Sequence, residues 1–486
     1  MPNTLPALLD DAVARFPDRP AVGGADANLT YRELGARVDA VAGHLAALGL
    51  EGRRVGLLLP NLPVFAEAFY GALKIGASLV LLNPLYSPRE VAEYLAGAGA
   101  DTVLTTAKLA ALLPPETRRV LLDDVPGALR VQDAGHDLVL PLESAPEAPA
   151  VEIAPDADAV IVYTAANGGW ARGARLTHAN LVANLRSTHA AMAITPEDRI
   201  LAVLPWIHLF GLTVTLNAPL AAGALTLPVE RFQPLRLLAR LAESGATVIS
   251  GVPGIYMALI AAATQRGVPE HSLRLAICGG APLPERVARR WEQLFGVELR
   301  QGYGLTEAGP VCLFNAVGRP NRIGTLGYAF PDVEVTLRDE QGREVRPGEV
   351  GEICVAGENV FPGYLGEGGR RPADFFGERL RTGDLGSAEP DGAIRFHGLL
   401  KPMFTRNGFN VYPHEVERVL LEDERIAAAT VCSRPEAARE NEVVAVVRAV
   451  PGAELTADAV RELCAARLAA FKQPSRIEIE PADASV

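Results

Sequence analysis

Val162-Tyr163-Thr164-Ala165-Ala166-Asn167-Gly168-Gly169-Trp170-Ala171-Arg172-Gly173-Ala174-Arg175-Leu176-Thr177-His178 is the stretch on which the fold turns. Before it, Ala159-Val160-Ile161-Val162 reads as a short, fully buried strand, and after it Ala179 to Leu185 reads as the first turns of a helix. A strand, a glycine-bearing loop with an arginine, and then a helix is a layout in which backbone N–H groups can grip a phosphate. The Walker pattern does not apply, because no Gly-Lys-Ser/Thr closes the loop.

The 486 residues suggest more than one domain and are ample for a large core. Hydrophobic residues at 49% and charged residues at 21% are ordinary for a soluble globular chain. A net charge of −12 and the lack of any Lys/Arg run exclude a nucleic-acid surface. Cys278, Cys312, Cys354, Cys432 and Cys464 form no CxxC pair and read as reduced, structural thiols of a cytoplasmic protein. The N-terminus carries Asp10 and Asp11 among helically spaced apolar positions, unlike a signal peptide. Leu201 to Val229 holds no Asp, Glu, Lys or Arg, but Pro205, Gly211, Asn217, Pro219 and Gly223 interrupt it and His208 sits inside. It reads as a buried helix beside an apolar pocket rather than a membrane span.

Outward from the loop, strands and helices alternate. Leu5, Leu8, Leu9, Ala12, Val13 and Phe16 predict a helix ended by Pro17. Thr30 and Glu33 form a capping box for the next helix, and Ser87-Pro88 opens another. Val55–Leu59, Ala77–Leu82 and Asp101–Thr105 read as buried strands, with a helix from Leu62 to Ile75. Such alternation implies a largely parallel sheet covered on both faces, with ligands at the carboxyl ends of its strands. Residues 108–157, rich in Pro, Asp and Glu, read as an irregular connection. Further on, Thr456 opens a helix with Val460, Leu463, Cys464 and Leu468 on one face.

Four more stretches carry chemistry. Leu204-Pro205-Trp206-Ile207-His208-Leu209-Phe210-Gly211 places a histidine that serves either as a satisfied core group or as a pocket wall. Cys278-Gly279-Gly280-Ala281-Pro282-Leu283 follows an apolar strand and by itself is a plain turn. Gln301-Gly302-Tyr303-Gly304-Leu305-Thr306-Glu307 offers a flat ring, a hydroxyl and a hard carboxylate of the kind Mg²⁺ prefers. Arg381-Thr382-Gly383-Asp384-Leu385-Gly386 adds a second carboxylate in a tight turn.

In this order these motifs resemble those of the AMP-forming acyl-CoA synthetases, members of the adenylate-forming superfamily with luciferases and nonribosomal adenylation domains. The resemblance spans roughly residues 5–480. It implies an α/β fold with a large multi-sheet N-terminal portion, 1–397, and a small mobile α+β domain, 398–486. It implies ATP or AMP, Mg²⁺, CoA and a carboxylic acid, fatty or otherwise apolar, as ligands. The acid would attack the α-phosphate of ATP, and the CoA thiol would then displace AMP. By the same resemblance Thr164, Gly168 and Gly169 lie on the phosphates, with Arg172 in place of the usual lysine. Gly279, Gly280, Ala281 and Tyr303 would surround the adenine. Thr306 would meet the α-phosphate, Glu307 would hold Mg²⁺, and Asp384 would take both ribose hydroxyls. Trp206 and His208 would border the acyl pocket, and Gly408 would face CoA.

Departures from the family pattern open a second reading. Ala165, Ala166, Asn167 and Gly168 remove three hydroxyl donors, Leu399 replaces a ribose-binding arginine, and Thr405 replaces a lysine facing CoA. Pro402 stands for the hinge aspartate, and a proline there restricts rotation. The family's C-terminal Thr-Gly-Lys does not occur before Val486, and Lys472 matches another position. The alternative is a relative that binds AMP, acyl-adenylate or a partner protein without efficient ligation. A homodimer stays open.

Overall fold

The computed structural model describes residues 2–24, 27–122, 125, 127–133, 135–165, 171–400, 403–436, 440–450 and 453–480. Two nine-stranded sheets make up most of the large portion. In the first, Asp158–Ala165, Ser78–Leu81, Arg54–Leu58, Thr102–Thr105 and Arg118–Leu121 run parallel in that spatial order. Antiparallel pairs extend both sides: Ala171–Thr177 and Gly363–Tyr364 on one, Ala128–Asp133 and His136–Pro141 on the other. In the second, Pro20–Val22, Leu225–Pro228, Arg199–Ala202, Val248–Gly251, Leu275–Cys278 and Leu299–Gly304 are parallel, and Val311–Phe314 and Tyr328–Ala329 continue antiparallel. The central strands are buried on both faces, which is why they read as unbroken apolar runs.

The predicted capping boxes form. Thr30 Oγ1 and Ser87 Oγ accept the backbone N–H of Glu33 and Glu90, whose carboxylates answer the cap N–H groups. The uncharged segment is a buried helical stretch from Leu209 to Ala222, π-wound over Leu212–Asn217, between strands Arg199–Ala202 and Leu225–Pro228. Among the described residues no helix is long and apolar enough to cross a membrane.

Two expectations are corrected. Residues 108–157 are not simply irregular: Arg118–Leu121, Ala128–Asp133 and His136–Pro141 extend the first sheet. Their signal was weak because the outermost strand is largely exposed and has no buried face to pattern. The loop also does not lead straight into a helix. Ala171–Thr177 is a seven-residue strand, antiparallel to Asp158–Ala165, and the helix His178–Met192 begins only after it. That helix start is closed by Thr177 and Asn180 in a capping box, so its free N–H groups do not serve the loop. Gly168 and Gly169 lie outside the described residues, as does Pro402.

A third, smaller sheet (Glu334–Arg338, Gly351–Ala356, Arg379–Ala388, Phe375–Phe376, with Ile394–Leu399 beside Arg379–Ala388) leads to the C-terminal unit. That unit is a hairpin, Phe404–Arg406 with Phe409–Val411, and a three-stranded sheet packed on helices Pro413–Leu420 and Ala457–Arg467. It has its own core around Val416, Val447, Val460 and Phe471. Lys472, buried, donates to Glu415 of the same unit at 2.6 Å and to Glu90 of the large portion at 2.7 Å.

Candidate active site

A cavity of about 1240 Å³ opens where strand ends of the large portion meet the C-terminal hairpin. Thr164, His208, Gly279, Gly280, Ala281, Tyr303, Thr306, Glu307, Asp384 and Gly408 all line it, although they come from separate parts of the chain. Asn359 Nδ2 donates to Ala308 O and Asn184 Nδ2 to Val311 O, each at 2.7 Å, which pins the turn carrying Thr306 and Glu307. Gly304 precedes that turn because a Cβ there would lie 1.9 Å from Pro310 O.

Glu307 is held on one side only. Its Oε1 accepts from Thr164 Oγ1 at 3.0 Å and from the Tyr364 hydroxyl at 2.7 Å. Its Oε2 takes no hydrogen bond from the described residues and is left to the cavity. Asp384 accepts the Tyr303 hydroxyl at 2.5 Å, and burial pushes its carboxyl up to about 6. Gly280 adopts φ +79°, a conformation that favours glycine, and a Cβ on Gly279 would lie 3.0 Å from the Phe210 ring. On the far wall, Gly408 has φ +78° and would carry a Cβ 3.0 Å from Val252, so the C-terminal hairpin seats closely on the cavity. Arg381 is the one Lys or Arg among the described lining residues, and Glu352 already pairs with it at 2.8 Å.

Apolar side chains make up much of the remaining lining, interspersed with polar ones such as Asn61, Asn83, Gln301 and Asn441. Ile207, Phe210, Val229, Ile255 and Ile277 are among the apolar ones, and Leu85, Phe232, Leu399 and Leu400 stand exposed along the cavity. His208 also lines the cavity, and its Nδ1 accepts from the backbone N–H of Phe210 at 3.4 Å.

Two expected site residues sit elsewhere. Trp206 is fully buried, edge-on to Phe65 with ring centres 5.4 Å apart, and its Nε1 donates to Thr215 Oγ1 at 3.1 Å. It is a core residue, and its neighbours Ile207 and Phe210 make the pocket wall instead. Arg172 does not line the cavity: it pairs with Glu367 and Asp374 and lies 3.5 Å over the Tyr364 ring. Tyr364 is the contact to Glu307 that sequence reading missed. Its only signal was a Gly-Tyr turn, and 57 residues separate the two side chains.

The match to known proteins follows the site. Residues 9–365 match the family model for AMP-binding enzymes, and the chain belongs to that family. Its class is therefore that of the adenylate-forming ligases. It is 29% identical to a long-chain-fatty-acid–CoA ligase of Bacillus subtilis over 98% of this chain and 91% of that protein. It is 32% identical to a feruloyl-CoA synthase of Amycolatopsis sp over 95% of this chain and 92% of that one. A solved o-succinylbenzoate CoA synthetase from Bacillus subtilis superposes with a TM-score of 0.86 at 25% identity, covering 97% and 94% of the two chains.

Proposed function

We propose that the protein activates an apolar carboxylic acid as an acyl-adenylate, with release of pyrophosphate, and passes the acyl group to CoA with release of AMP. One observation carries this reading: a single cavity is lined both by Glu307, Thr306 and Asp384 and by the apolar Ile207, Phe210 and Val229. An acid held by its apolar body would present its carboxylate to the polar groups. Asp384 would accept from the ribose hydroxyls, and Thr306 would donate to the α-phosphate as charge builds on its oxygens. The names of the relatives, long-chain fatty acid and feruloyl, support an apolar acid.

Mg²⁺ fits the donor set. Glu307 offers one hard oxygen free of protein hydrogen bonds, and the described residues contain no cluster of three or more His, Cys, Asp or Glu. An ion bound through one carboxylate and substrate phosphates needs no more than that. Bound there, it would supply the phosphate neutralisation that the paired Arg381 does not. Gly408, on the hairpin that closes the cavity, marks the side from which the thiol would enter. The non-ligating alternative gains no support from relatives, which are named for ligation or synthesis.

ATP–pyrophosphate exchange with a panel of fatty, aryl and short polar acids, followed by CoA-dependent AMP release, tests this. Exchange with the apolar acids and little with the polar ones is expected. No exchange with any acid, while AMP still binds, would overturn it.

A further inference from the structure

The family position of Arg172 suggests a phosphate-gripping cation, yet two of its three guanidinium nitrogens are already committed to carboxylates. Nε donates to Glu367 at 2.8 Å, Nη2 also donates to Glu367, and Nη2 reaches Asp374 at 3.0 Å. Arg371 lies 3.6 Å from each of the same carboxylates, so two cations and two anions form a neutral box. The Arg172 side chain is only 12% exposed.

What the box grips is a ring. The guanidinium plane of Arg172 stacks on Tyr364 while its edge holds Glu367, two tasks that a lysine ammonium cannot combine. Backbone pairing sets the placement, because Tyr364 lies opposite Ala174 and Leu365 N donates to Gly173 O at 2.8 Å. The Tyr364 hydroxyl ends on Glu307 Oε1. In this contact the phenol is the donor, because an ionised carboxylate can only accept. A cation over the ring face draws electron density from the oxygen and strengthens that donation.

We propose that Arg172 is a positioning residue: through the Tyr364 ring it orients the Glu307 carboxylate, committing Oε1 to the protein and turning Oε2 to the cavity. This rests on the reading that Glu307 meets a metal–nucleotide complex. It replaces the phosphate-binding role that the loop arginine suggests, and it makes Tyr364, Glu367 and Asp374 parts of the same device. A salt-bridge knot that merely fastened the Gly363–Tyr364 strand would affect stability alone, with no effect on the metal.

The test uses the full chain with Mn²⁺ as the probe, titrated by electron paramagnetic resonance in the presence of a non-hydrolysable ATP analogue. The variants are Arg172→Lys, Tyr364→Phe, their double variant and Glu307→Gln. Arg172→Lys and Tyr364→Phe should each weaken Mn²⁺ binding roughly 10-fold, the usual effect of removing a group that orients a metal ligand. The double variant should weaken it no more than Tyr364→Phe does, since the two act in series. Metal-free AMP binding, read by calorimetry, should not change.

Unaltered Mn²⁺ binding in Arg172→Lys and Tyr364→Phe, with loss in Glu307→Gln, overturns the proposal and leaves the metal role of Glu307 standing. Mn²⁺ binding that survives Glu307→Gln overturns both. If Arg172→Lys weakens the metal-free ATP analogue but not AMP, Arg172 is a phosphate ligand and the proposal fails. Tyr364→Phe removes one hydroxyl and keeps the stacked ring, so unaltered Mn²⁺ binding in it overturns the proposal even where an Arg172 variant does not fold.

Discussion

A half-buried carboxylate beside a phenol titrates where an exposed one does not, and Asp384 is the residue on which pH should act. Burial raises it to about 6, so between the ordinary carboxylate range and that value the folded chain holds a proton that the unfolded chain has lost. Its contribution to stability is therefore present at low pH and lost as pH rises to about 6. Nucleotide binding runs the other way, because ribose hydroxyls donate to the ionised form. AMP affinity measured by calorimetry should fall as pH drops from 7 to 5, with its midpoint near 6. Asp384→Asn should bind AMP more weakly, lose that pH dependence, and melt at a higher temperature at pH 7. Trp206 and Phe210 separate packing from specificity. Trp206→Ala should cost about 3–5 kcal/mol in denaturant unfolding without changing which acids are preferred. Phe210→Ala should shift the acid preference in the exchange assay.

At the scale of the element, the turn after strand Leu299–Gly304 sets the precision of the site. Asn184 and Asn359 hold it from outside, and Gly304 lets the strand pass Pro310 O at a distance no Cβ allows. Gly304→Ala must move the backbone that carries Thr306 and Glu307. A displacement near 1 Å costs on the order of 10²-fold in rate. Exchange activity should drop by that much while circular dichroism stays unchanged. A full loss of helical signal would show instead that the turn is needed for folding. The strand Ile394–Leu399 bears the other local departure: Leu399 lies opposite Asp384 and lines the cavity without a donor. Leu399→Arg should tighten AMP binding several-fold by adding a charge-assisted hydrogen bond to the ribose.

The whole molecule depends on how the C-terminal unit is seated. Lys472 carries a buried charge shared between Glu415 of its own unit and Glu90 across the junction, with Arg89 and Glu422 paired beside them at 3.1 Å. Removing one member of a buried ionic group strands its partners, at about 3–5 kcal/mol. Lys472→Met should lower stability by that amount and expose the chain near residue 400 to limited proteolysis. Unchanged cleavage kinetics would show that the junction is held by other contacts.

Local chemistry was readable from the chain alone. Caps at Thr30, Ser87 and Thr456, the buried strands, the uncharged helical stretch and the Gly279–Gly280 and Tyr303–Glu307 motifs all announce themselves within a few residues. Propensity, periodicity and turn geometry act at that range. Tertiary structure decided what depends on two distant segments meeting. It turned Trp206 inward and Phe210 outward, and it added three strands where composition suggested a loop. It also tied Arg172 to Glu367 and Asp374, brought Tyr364 onto Glu307, and locked Lys472 between two units. A side chain's charge and shape are written in the sequence. Which partner neutralises the charge and which face the side chain takes are settled only when the sheets have formed and packed.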